Sequence, residues 1–181
     1  MAALSAEVKK LLARTKLAVL PEDYYLVHLP LDTRLIPAEW FRPATTRFAL
    51  FIREARGITL VVPRRKWLRM RNIFGEHRLH GPMRVITLEM PDSLDVSGYI
   101  SAVIHVLAQA RISIVPVSSV SRDHILVKKP DLPRSVRLLR QFRLDRLDGT
   151  NRPGQHLRLR HPLDHDRQHG GFLSSAAERL R

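Results

Sequence analysis

The spacing of hydrophobic positions changes several times along this chain, and each change marks an element. From Met83 to Met90 apolar and β-branched residues dominate, as in a largely buried strand, and Pro91 ends the run by removing a ladder donor. Ile100, Val103, Ile104, Leu107 and Ala108 then recur three and four apart, the stripe of a helix lying on a sheet. Ser97 is placed to cap that helix and Arg111 to close its last turn. Ile112 to Val117 and His124 to Val127 read as short strands joined by a hairpin from Ser118 to Asp123. A second helix follows, capped by Asp131, with Pro133 in its first turn and Val136, Leu139 and Phe142 on its buried side. The order is most of a βαββαβ unit.

Upstream the same plan is weaker. Tyr24 to Leu29 predicts a strand, Phe48 to Arg53 and Ile58 to Val62 a hairpin turning at Ala55 to Gly57, and Pro63 to Phe74 a short helix. The crossover from Asp32 to Ala44 has Pro30, Pro37 and Pro43 in or beside it, which reduces its helix to a turn or one short segment. Gly75 to Pro82 reads as a connector. Ala2 to Lys16 predicts a short helix that docks Leu4, Val8, Leu11 and Leu12 on its own domain. After Leu144 the chain turns to Arg, His, Asp, Gly and Pro without an apolar period, as a mostly disordered tail does. The expected organisation is a helical extension at 1–16, one unit at 17–82, a second at 83–144 and a basic tail at 145–181. The second unit needs one more strand, for which Leu17 to Leu20 and His156 to Leu159 are the candidates.

The loop from Asp92 to Gly98 sets polar side chains, among them Asp92, Ser93 and Asp95, at a helix start. Free backbone N–H groups and the helix dipole there suit a carboxylate. Turn-making and capping bonds are the other use of those carboxylates, and close helix packing is the other use of Gly98.

At these residues the chain resembles a known family. The run GYISAVIHVLAQARISIVPVSSVSRDHILVKKPDL is similar to the second half of small tandem ACT-domain proteins, whose eukaryotic relatives include the cytosolic arginine sensors. LAVLPEDYYLVHLPLDTRLIPAEW resembles the same family's opening segment, and together the likeness spans roughly residues 17 to 144. The resemblance implies an α+β fold of two ferredoxin-like βαββαβ (ACT-like) units, the first degenerate, with antiparallel sheets and helices on one face. The interlocked halves of such proteins favour Leu17 to Leu20 as the missing strand. It further implies a non-catalytic, cytoplasmic, ligand-sensing regulator that holds a small amino acid or similar metabolite between paired domains, as a homodimer with a possible protein partner. By position, Gly98 matches the family's glycine at the helix start, Asp123 the acidic residue that pairs with a cationic group, and Ser118 and Ser119 the small polar strand end. Where relatives carry a tyrosine and a further polar residue or aspartate, this chain has Val120, Ser121 and Arg122. A structural ACT dimer that has lost its ligand therefore stays open as an alternative.

Charge adds a competitor. A net charge of +14 suits nucleic acid, with Arg64, Arg65, Lys66, Arg69 and Arg71 in one cluster and Arg134, Arg137 and Arg140 along the last helix. RNA-recognition domains share the βαββαβ plan but stack bases on strand aromatics, and neither Phe48 to Arg53 nor Ile112 to Val117 carries such an array. Enzyme motifs fail too, since no phosphate-binding loop, GxGxxG turn or G-x-S-x-G elbow is present. His161, His165 and His169 are four apart, but Pro162 and Gly170-Gly171 break the helix that would align them, so no metal or cofactor is expected. The chain has no cysteine, which suits a reducing compartment. No apolar run approaches the roughly 20 residues that span a bilayer.

Overall fold

Alternation builds the strands and a helical stripe covers them. In the computed structural model, which describes residues 4–33, 46–90 and 96–147, the longest strand is β5 (Arg78–Glu89). One edge of β5 pairs antiparallel with β1 (Lys16–Val19), from Lys16↔Glu89 to Val19↔Ile86, and then with β2 (Tyr24–Leu29), from Tyr24↔Met83 to His28↔Arg78. The other edge pairs with β7 (Asp123–Lys128), which β6 (Ile114–Ser118) flanks, while β4 (Gly57–Pro63) and β3 (Leu50–Glu54) extend the sheet beyond β2. The result is one seven-stranded antiparallel sheet.

Two ferredoxin-like units are folded into that sheet. The second runs β1-β5-β7-β6 and the first β5-β2-β4-β3, so the two halves of β5 serve different units and β1 supplies the second unit's last strand. Strand β5 crosses the join between 82 and 83.

Residue parity assigns the faces. Ile86, Leu88, Ile125 and Val127 face α1 (Ala6–Arg14), α3 (Tyr99–Gln109) and α4 (Leu132–Leu147), forming a core with Val8, Leu11, Leu12, Val103, Leu107 and Leu139. In the first unit Val27, Leu29, Leu60 and Val62 pack on α2 (Arg64–Met70) through Trp67, which stacks on Phe74 at 5.4 Å. The sheet's other face carries Tyr24, Val61, Met83, Val85 and Leu126. Burial first, then Glu22, raises the Tyr24 phenol.

Several local expectations are corrected. Gly75 to Pro82 is not all connector, because β5 begins at Arg78 and Gly81 lets it lie against β2: a Cβ there would sit 2.9 Å from the Tyr24 carbonyl oxygen. Ser97 does not cap α3; Gly98 does, and without a side-chain bond. Arg111 lies beyond α3, at φ 56°, with its N–H on the Ala108 carbonyl at 2.8 Å. Asp131 does stand where a cap for α4 belongs, ending a 3-10 turn (Lys129–Asp131) directly before Leu132, and its carbonyl accepts the Ser135 hydroxyl at 2.8 Å. The body of the 32–44 crossover, the Asp92, Ser93 and Asp95 loop, the alternative strand at 156–159 and the tail histidines lie outside the described residues.

Candidate functional site

Gly98 begins α3 in the left-handed region, at φ 88°, and its carbonyl accepts the Ala102 N–H at 3.0 Å. Among the described residues a Cβ at Gly98 would meet nothing within 4 Å, so what these residues ask of glycine there is its left-handed backbone conformation and not small size. The next residue, Tyr99, turns back into the core. Its hydroxyl lies 3.0 Å from Thr15 Oγ1, and the Thr15 hydroxyl donates to the Leu11 carbonyl at 2.9 Å.

Asp123 opens β7 opposite Leu88 and Ser118, and it shares the helix-facing side of the sheet with Ile125 and Val127. It is only 8% exposed. Among the described residues no hydrogen bond or ion pair reaches its carboxylate. Its field is felt next door: burial pushes the Tyr99 phenol up to about 12, with the Asp123 charge adding to the rise and the Thr15 bond opposing it.

The predicted residues are thus partly brought together. Gly98 and Asp123 lie at the end of the second unit where α3 and β7 start, with Tyr99 linking them, and Ser118 pairs across from Asp123. The Ser119 hydroxyl is engaged in closing the hairpin, donating to the Arg122 carbonyl at 2.8 Å and accepting the Arg122 N–H at 3.2 Å. Arg122 reaches out to Glu89 at 3.6 Å. His124 faces the other side, with Nδ1 3.0 Å from Thr87 Oγ1 and its ring 4.6 Å from Phe48. Burial first and Arg122 second lower its pKa, against the Asp123 charge. Tyr99 and Thr15 escaped the sequence reading, the first although it directly follows Gly98.

The basic residues divide. Arg64 donates from Nε to the Tyr25 hydroxyl at 3.2 Å, Arg65 pairs with Glu22 at 2.7 Å and Lys66 donates to Thr46, so these cations are engaged within the first unit. Arg69 sits on the same helix, whereas Arg134 and Arg137 lie on α4 of the second unit. Among the described residues no group of His, Asp and Glu is placed to hold a metal ion.

Residues 79–141 match the family model described as the ACT domain. The fold is shared with a protein of unknown function, a possible transport protein, from Vibrio cholerae (21% identity, TM-score 0.58, 76% of this chain and 96% of that one). A protein from Agrobacterium tumefaciens is similar at 24% identity and TM-score 0.57, covering 72% of this chain and 90% of its own. So is the regulatory subunit of aspartate kinase from Thermus thermophilus in its ligand-free form, at 11% identity and TM-score 0.52, covering 70% and 96%. No curated protein matches the chain.

Proposed function

We propose that this chain, which carries an ACT domain over residues 79–141, is a non-catalytic regulatory protein sensing a small amino-acid-like ligand where α3 and β7 begin. The observation that carries this is Asp123, a residue only 8% exposed whose carboxylate no cation or donor among the described residues reaches. A carboxylate with little access to water gains from a cationic partner, and a ligand ammonium would supply one. The start of α3 at Gly98 offers backbone N–H groups to the ligand's carboxylate. Ser118 and Ser119 complete the described part of the site, and Asp92, Ser93 and Asp95 are its proposed remainder.

Pairing of two copies would close this end of the unit, as in the ACT-domain proteins the chain resembles, and an associated protein would read out occupancy. The units at 17–82 and 83–144 and a cytoplasmic setting belong to the same proposal. Nucleic acid is the weaker reading, because Arg64, Arg65 and Lys66 are engaged by Tyr25, Glu22 and Thr46.

A thermal-shift screen of the full chain against the common amino acids tests the proposal. A ligand that binds only the folded state adds about 2.7 kcal/mol of stability at a hundred times its Kd, so at least one amino acid at millimolar concentration raises the melting temperature. A flat screen contradicts it.

A further inference from the structure

On the flank of the second unit, Lys16, Leu17, Arg140 and Arg143 line a cleft of about 280 Å³. Arg140 and Arg143 stand three apart on α4 and so project from one face, towards the strand that carries Lys16. None of the three makes an ion pair with an acid among the described residues. Arg143 is also held in place: Nη1 donates to the Thr15 carbonyl at 2.9 Å, while its Nε is buried without a hydrogen-bond partner among the described residues. Three like charges converging on one cleft repel one another, and an anion between them removes that cost.

We propose that this cleft binds the phosphoryl group of a small phosphorylated molecule. A guanidinium fork matches a phosphate's tetrahedral oxygens, and a fixed arginine loses little freedom on binding one. Three cations exceed what a lone carboxylate needs and suit a dianion. The volume accommodates a phosphoryl group with a small organic remainder. Among the described residues Leu17 is the cleft's apolar liner and no aromatic ring lines it, so these residues offer bases no stacking platform and do not favour a nucleic-acid strand. None of the residues that line the cleft belongs to the proposed amino-acid site at Asp123, so separate variants test the two.

Isothermal titration of the full chain with inorganic phosphate, at constant ionic strength with chloride as the exchanged anion, tests the proposal. Saturable binding is expected. Lys16→Gln and Arg140→Gln, both at exposed positions, each weaken it about five- to tenfold, as loss of a charge-assisted contact does. Arg143→Gln weakens it more, but also frees the Thr15 carbonyl, so the two exposed variants decide. Absence of phosphate binding, or binding unchanged in both exposed variants, overturns the site. Single-stranded RNA binding that is lost in these variants while phosphate itself does not bind would overturn it as well, reassigning the cleft to nucleic acid.

Discussion

The two units share a strand order but differ at the residue that opens the third strand. In the second unit that residue is Asp123, a buried acid beside Tyr99. In the first it is Gly57, where an added Cβ would lie 2.4 Å from His28 Cε1 and 2.8 Å from the Leu29 carbonyl oxygen. One unit fills this corner with its own imidazole, and the other places a carboxylate there beside a helix start that no described residue crowds. Topology alone therefore does not make the ligand site we propose; what occupies the corner distinguishes the two units.

The largest effects probe whether the units are separable. Trp67 and Leu107 are the fully buried centres of the first and second helix-facing cores. Trp67→Ala should cost about 3–5 kcal/mol and Leu107→Ala about 2–5 kcal/mol in urea melts. Because β5 belongs to both units, each variant should still melt in one transition with coincident fluorescence and circular dichroism. Two separated transitions would show that the shared strand does not couple them.

Next come the glycines. Gly57→Ala forces a methyl into His28 and should cost about 2–4 kcal/mol. Gly98→Ala meets no atom, so only its left-handed backbone opposes it, at about 1–2 kcal/mol. Denaturation midpoints check the order, and its reversal would place the crowded corner in the wrong unit.

The smallest effect is titration of His124. Its folded pKa lies below the ordinary 6.5, so the unfolded chain takes up the proton more readily. Stability associated with neutral His124 is fully present above that ordinary value and is lost as pH falls through the folded one. Melting temperature should decline across that acid window, and less steeply in His124→Gln. An equal slope would remove His124 from the acid response.

The parts of this fold legible in sequence are those whose pattern is local. Tyr24 to Leu29 and the stripe of α1 bury what their periods predict, whereas α3 buries Tyr99, Ala102, Val103 and Leu107, a face turned from the predicted one so that Ala108 is exposed. Arg78 to Pro82 was not legible, since its residues are exposed and Gly81 and Pro82 read as punctuation; pairing with β2, distant in sequence, makes it a strand. For the site, Gly98 and Asp123 came from the family likeness and the loop pattern. The Tyr99 to Thr15 contact spans 84 positions, and no local spacing encodes it. The place of β1 was narrowed to two segments, of which the family likeness favoured Leu17 to Leu20, and pairing of Lys16–Val19 with β5 bears that choice out.

The comparison of the two corners rests most directly on Asp123. With an amino acid that stabilises the chain in hand, calorimetry on wild type and Asp123→Ala measures what the carboxylate contributes. Loss of a charge-assisted hydrogen bond of about 1.5–3 kcal/mol predicts affinity roughly ten- to a hundredfold lower, with the variant's melting temperature in the absence of ligand near wild type. Unchanged affinity in a normally folded Asp123→Ala protein would contradict a ligand site at this corner.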